Sequence, residues 1–201
     1  MNYIRIFSRL LTLVLFLALA PAALASTWYV DGVNGNDQNN CKSWKHACQT
    51  IGHAISLASS GDTIKVAPAT YTENLTIGIS LTILGANAST TIVDGGGVNT
   101  VVTISEPNAN VTLSKLTIRN GYNQYYGGAI INYGTLTIDH SGITANGANY
   151  GGGGIENYNT LTINNSTITA NNLSYQYSSG GAILNWAALT VNKSTISVTA
   201  T

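Results

Sequence analysis

Gly127–Ile138 reads GGAIINYGTLTI, Gly152–Ile163 reads GGGIENYNTLTI and Gly180–Val191 reads GGAILNWAALTV. Superposed, they align Asn132 with Asn157 and Asn185, and Leu136 with Leu161 and Leu189, at offsets of 25 and then 28 residues. Ile143, Ile168 and Ile196 extend the match, and Val111, Leu113 and Ile118 lie one 25-residue step before Leu136, Ile138 and Ile143. A fixed period of this size signals a solenoid, whose coils bury their apolar sides by stacking. Within a period the apolar residues alternate in short runs such as LTI, broken by Gly, Asn and Ser. That is strand spacing, without a 3.6-residue pattern. Three short strands and their turns make one coil of a parallel β-helix, with coils stacked about 4.8 Å apart.

Strand parity then assigns the interior. Ile130, Ile155 and Ile183 form one inward ladder, and Leu136, Leu161 and Leu189 the next. Asn132, Asn157 and Asn185 share the inward parity and fall at a corner. Their amides can bond turn backbone and one another there; unpaired, they would be costly to bury. Four glycines precede Ile155, but no helix or Lys-Ser/Thr follows them, and glycines recur in each repeat. A phosphate-cradling loop is therefore excluded.

Upstream, GDTIKV (from Gly61), ENLTI (from Glu73), SLTILG (from Ser80), TTIVDG (from Thr90) and TVVTI (from Thr100) read as strands of the first coils. TIGHAISLASSG differs. Ile51, Ala54, Ile55 and Ala58 share one helical face, and Gly61 can end the helix. A short helix here would cap the first coil, with His53 on its outer side.

The N-terminus has the three parts of a secretory signal: Arg5 and Arg9, an apolar run from Leu10 to Ala20, and Ala23-Leu24-Ala25. The apolar run is short for a membrane span, so cleavage after Ala25 is expected and the protein is expected to be secreted or on the cell surface. The segments are then 1–25 (signal), 26–60 (strand, disulfide loop, capping helix) and 61–201 (coils). The whole chain has eight basic and eight acidic residues. Losing Arg5 and Arg9 leaves six against eight, a net charge of −2, which gives no electrostatic case for nucleic acid. The two cysteines, Cys41 and Cys48, read as a disulfide in an exported chain. Zinc, with His46 and His53 nearby, lacks four-ligand spacing.

STWYVDGVNGND, the paired cysteines, TIGHAISLASSGDTIKVAPATYTENLTI and the GGAI units together resemble secreted bacterial right-handed parallel β-helix proteins of the pectate-lyase-like superfamily. GGAI at Gly127 and Gly180, with ITAN at Ile143 and TITAN at Thr167, also resembles the repeats of polymorphic outer-membrane proteins, with Ile143 and Ile168 replacing that family's Phe. The resemblance implies the fold. It leaves function open, because lyases, hydrolases, adhesins and tailspikes share the scaffold.

The lyases of this superfamily use clustered carboxylates, usually with calcium, and a Lys or Arg base. Glycosidases need two carboxyls about 5–9 Å apart. On a solenoid such groups must come from matching positions of adjacent coils. Glu156 matches Ile131 and Leu184, Asp139 matches Ser114, Asn164 and Asn192, and Arg119 matches Thr144 and Thr169. No acidic pair results, and parity directs Glu156 to solvent. Clustering of Asp94, Asp139 or Glu156 with Arg119 or Lys115 would favour an enzyme. Asp31, Asn34, Asn36 and Asp37 offer oxygen ligands for calcium, but in no EF-hand spacing; an Asx-rich turn is the simpler reading.

The aromatics point elsewhere. Tyr133, Tyr158 and Trp186 take one outward position in three successive coils. Tyr122, Tyr125, Tyr126, Tyr150, Tyr175 and Tyr177 all fall in the loop before the glycine strand. Two lines of aromatics flanking one strand could form a face for sugar rings or a protein partner; stacking on one another for stability alone is the other reading. The expectation is a non-catalytic protein that binds an extracellular polysaccharide or surface partner. A polysaccharide lyase or hydrolase is the alternative. The last repeat ends at TISVTAT without a cap, so edge-to-edge self-association through that coil, or continuation in a longer chain, is also expected.

Overall fold

The computed structural model describes residues 24–173 and 180–198. The expected signal and Tyr175 and Tyr177 lie outside the described residues, apart from Leu24 and Ala25 of the cleavage motif. Every strand pairing is parallel, and the strands fall into three sheets. The first has seven strands, Thr27–Val30, Asp62–Val66, Leu81–Gly85, Asn110–Ser114, Thr135–Asp139, Thr160–Asn164 and Ala188–Asn192. The second runs through Ala69–Thr72, Thr91–Asp94, Thr117–Arg119, Gly142–Thr144 and Thr167–Leu173 to Thr195–Val198. Its path also takes in the short strands Tyr122–Asn123 and Gly147–Ala148. The third has five strands, Leu75–Ile77, Val102–Ile104, Ile130–Asn132, Ile155–Asn157 and Ile183–Asn185.

The register is the one the repeats dictate. Ile130 pairs with Ile155 and Ile155 with Ile183. Leu136 pairs with Leu161 and Leu161 with Leu189, and Ile143 with Ile168. Side chains at inward parity are sealed off, from Ile64 through Leu113 and Ile138 to Ile168. In the last described coil the ladder opens. Leu189, Val191 and Ile196 are 38–40% exposed, where Leu161, Ile163 and Ile168 are at 0%.

Polar ladders close the corners. At the one read from sequence, Asn132 Nδ2 donates to Asn157 Oδ1 (2.6 Å), and Asn157 Nδ2 donates to Asn185 Oδ1 (2.7 Å). A second, not anticipated, follows the second sheet: Asn146 Nδ2 donates to Asn171 Oδ1 at 2.9 Å. A third is built of serines. Leu116 N donates to Ser141 Oγ, Ser141 N to Ser166 Oγ and Ser166 N to Ser194 Oγ. Each of these serines follows a residue in left-handed conformation, His140, Asn165 or Lys193 (φ 47–49°). Among the described residues no enclosed side-chain nitrogen or oxygen lacks a partner, as buried polar groups require.

A helix, Ile51–Leu57, closes the first coil, with Ile51 and Ala54 fully buried. It ends earlier than the sequence suggested. Ala58 is already extended and is the C-cap, while Gly61 (φ +96°) turns the chain into the next strand. Its first turn is capped three times. Thr50 Oγ1 accepts from His53 N, and the Glu73 carboxylate accepts from Ile51 N (2.9 Å) and Gly52 N (2.8 Å). Asp37 in turn accepts from Gln49 N, Thr50 N and Thr50 Oγ1. These bonds satisfy donors that a helix start leaves open.

Candidate functional site

The third sheet presents its outward residues on successive rungs: Thr76, Thr103, Ile131, Glu156 and Leu184. Just beyond this strand, after the asparagine corner, Tyr133 and Tyr158 stack with centroids 4.9 Å apart and planes 10° apart. Trp186 sits one coil further on, held by Trp186 N donating to Asn157 O, and is 64% exposed. The expected row of aromatics is therefore present. Trp186 differs from the simple stack in turning its indole Nε1 to Glu156 Oε1 at 3.4 Å.

The second aromatic line lies at the edge of the same strand. Tyr125 and Tyr150 stack at 6.3 Å, and Tyr126 tilts against Tyr150 at 6.0 Å. Tyr125 N and Tyr126 N both donate to Asn123 Oδ1, and Tyr126 forms a parallel bridge with Gly151, which fixes this loop on the coil above.

Glu156 lies between the two lines, and here the expectation of a solvated carboxylate is corrected. Parity does point it outward, but it is only 2% exposed. The cause is the loop that parity does not describe. The Gly127 backbone comes so near that a Cβ there would stand 3.3 Å from Glu156 Cβ. Tyr158 Oη donates to Glu156 Oε1 at 2.6 Å, and Trp186 covers the same oxygen. Burial pushes the Glu156 carboxyl up from its ordinary value, against the two hydrogen bonds that would lower it. The Tyr158 phenol is pushed up as well, by burial first and then by its bond to Glu156.

Glycine packing explains the run before Ile155. Gly152 takes φ +58°, and a Cβ on Gly153 would lie 2.7 Å from Gly181 O and still nearer Asn172 O. Adjacent coils approach too closely there for a side chain.

The other candidates fall elsewhere. Asp31 accepts from Val33 N, Asn34 N and Asn34 Nδ2 within its own turn. Asn36 Oδ1 accepts from Gln38 N, and Asp37 is engaged at the helix cap. Three of the four prospective calcium ligands thus accept from three different sets of donors, and the fourth, Asn34, is itself a donor to Asp31. Cys41 and Cys48 form the disulfide, with Cα atoms 5.0 Å apart. His53, expected on the outer side, is half-buried, within 4.8 Å of both sulfurs. These sulfurs, being bonded to each other, offer no thiolate to zinc.

Two groups named as possible enzyme parts do meet. Arg119 Nε donates to Asp94 Oδ2 at 2.9 Å, on adjacent rungs of the second sheet. Burial would raise the Asp94 carboxyl, but hydrogen bonds from Gly96, Asn120 and Arg119, with the Arg119 charge, hold it below the usual range. No second carboxylate joins them among the described residues. Asp139 is on the first sheet, against His140 Nδ1 (2.9 Å), and Glu156 is on the third.

Three parallel sheets wound into coils, with a helix over the first, define a right-handed parallel β-helix. Neither a protein-family model nor a curated protein matches the sequence. Among solved structures, the chain is similar to a pectin methylesterase in complex with a hexasaccharide. The TM-score is 0.52 and the identity 15%, over 87% of this chain and 67% of that one. It is similar to pectin methylesterase PemA from Erwinia chrysanthemi at TM-score 0.50 and 14% identity, with the same coverage. At such identities the likeness is one of fold.

Proposed function

We propose that this is an extracellular β-helix protein that binds glycans through the aromatic face of its third sheet. The observation that carries the reading is the stacked pair Tyr133 and Tyr158, with exposed Trp186 one coil on, arranged around the Glu156 carboxylate. Flat, rigid aromatic surfaces beside a hydrogen-bonding group suit the apolar faces and hydroxyls of sugar rings. Export is supported by the basic, apolar and small-residue order of the first 25 residues and by the disulfide. The fold is shared with a protein crystallised with a hexasaccharide, which is consistent with the reading.

A glycan array on the mature protein tests it. Tyr158→Ala and Trp186→Ala should each weaken the best ligand at least tenfold, about 1.4 kcal/mol, without changing the fold by circular dichroism. Retained affinity in the triple alanine variant at Tyr133, Tyr158 and Trp186 would refute the site. The Asp94–Arg119 pair favours a second, catalytic reading, as a polysaccharide lyase or hydrolase. It supplies one carboxylate where such chemistry uses two. Turnover of any polysaccharide that is abolished by Asp94→Asn would establish that reading instead.

A further inference from the structure

We infer that the sugar chain taken by the aromatic face carries no carboxylates. This rests on the glycan-binding reading and narrows its ligand class. Among the outward rungs of the third sheet, Glu156 is the one ionisable side chain. The corner below Tyr133 adds a second acid, Glu106, two residues past Ile104, the rung partner of Asn132. No basic side chain lies on these rungs. Lys115 and Lys193 follow strands of the first sheet, and Arg119 on the second is already paired with Asp94. A uronate bound here would therefore find no cation, and it would face Glu156.

The free valence of Glu156 points the same way. Oε1 already accepts from Tyr158 and Trp186. Oε2 accepts no hydrogen bond from any described residue. It is an acceptor between aromatic platforms, and it suits a donor such as a sugar hydroxyl. An acceptor-only carboxylate placed against it leaves both groups unpaired, in a site with little water to screen them.

Matched pairs test this: polygalacturonate and polyglucuronate, each beside its fully methyl-esterified form, alongside neutral glycans, by calorimetry on the mature protein. Binding should be confined to uncharged chains, with any uronan at least tenfold weaker than its ester. Glu156→Gln should narrow that gap. A uronan bound as tightly as its ester, with affinity lost in Trp186→Ala, overturns the inference and leaves glycan binding standing. No binding to any glycan overturns both.

A second inference rests on the first coil. We infer that hydrolysis of the Ala25–Ser26 bond creates an ion pair that caps the solenoid. Ser26 N donates to Asp62 Oδ1 at 2.7 Å. Asp62 Oδ2 accepts from Trp28 Nε1 (2.8 Å) and Ser59 N (2.9 Å), and Lys42 Nζ stands 3.1 Å from the Trp28 ring centroid. Asp62 is 4% exposed, while Leu24, two residues before Ser26, is 94% exposed. A built carboxylate seat thus begins where the expected cleavage motif ends. Water added across the amide leaves a carboxylate on Ala25 and an ammonium on Ser26. A neutral donor at Asp62 becomes a charged one, roughly doubling the strength of that bond.

Intact mass of the secreted protein should show Ser26 as first residue. Chains starting at Ser26 with a free amine should melt a few degrees above the same chain acetylated, and Asp62→Asn should remove the difference. A different first residue, or equal melting of free and acetylated chains, overturns the inference. The acetylation comparison stands even if Asp62→Asn fails to fold.

Discussion

Beneath Tyr158 and Trp186 the Glu156 carboxyl loses most of its water, and that burial raises its pKa. A carboxyl raised in the folded state contributes stability that is fully present below its unfolded value, about 4.3. That stability is lost as the pH rises through the folded value. Glu156→Gln keeps an acceptor for Tyr158 and Trp186 and removes the charge. It should raise Tm at pH 7, by on the order of 2–4 °C per kcal/mol relieved, and leave Tm nearly unchanged at pH 4. Calorimetry at both values checks this; an equal shift at both would show that the charge is not what burial penalises. Glycines give a sharper contrast at the same scale. Gly153→Ala drives a Cβ into the Asn172 and Gly181 carbonyls and should cost about 1–3 kcal/mol or more. At Gly147 a Cβ meets Tyr122 Cδ2 at 3.6 Å, an ordinary contact. Gly147→Ala should be neutral, or stabilise by about 0.4–1 kcal/mol through the unfolded chain. Urea melts rank the two, and a larger loss at Gly147 would contradict the packing.

The asparagine ladder works as an element, because each amide both donates and accepts between coils. Asn157→Ala removes the acceptor of Asn132 Nδ2 and the donor to Asn185 Oδ1 together. With Asn132 and Asn157 fully buried, the loss should be about 1–3 kcal/mol for each group left unpaired. A urea midpoint no lower than that of an outward-facing, half-buried control, such as Thr137→Ala, would deny the ladder a structural role. This ladder was legible in the sequence because its repeat carries three side chains at fixed offsets and one parity. The same logic reaches Asn146 and Asn171, within the repeated ITAN, and Ser141, Ser166 and Ser194, each after the corner residue. Strand parity does not reach them: Asn146 and the serines lie between strands, and Asn171 follows an irregularity within Thr167–Leu173. Glu156 shows the limit of parity. It tells which side of a strand a residue takes, and cannot tell that Gly127 and Tyr158 will fold over that side. The caps made by Asp62 and Glu73 are pairings across 34–36 and 21–22 residues that occur once. No repeat could announce them. The meeting of Asp94 with Arg119 differs, because the two lie one 25-residue step apart on paired positions.

Across the whole molecule, each coil contacts only its neighbours, so stability should be graded along the axis. The first coil is closed by the Ile51–Leu57 helix, with Glu73 and Asp37 on the helix start and the Cys41–Cys48 disulfide beside the first strand. Central coils have sealed ladders on both sides, as at Leu113, Ile138 and Ile163. The last described coil has its ladder residues Leu189, Val191 and Ile196 partly open to water. Amide exchange should therefore be slowest in Val111–Leu113, Leu136–Ile138 and Leu161–Ile163, and fastest in Ala188–Val198. Reducing the disulfide removes a short-loop constraint of on the order of 2–3 kcal/mol in the entropy model. Tyr29 N donates to Cys41 O and Cys48 N donates to Tyr29 O, so the loosening should reach Thr27–Val30 first. In a nearest-neighbour solenoid, exchange at Ala188–Asn192 should stay as it was. If reduction instead accelerates exchange equally at both ends, the coils unfold as one cooperative unit, and the graded description fails.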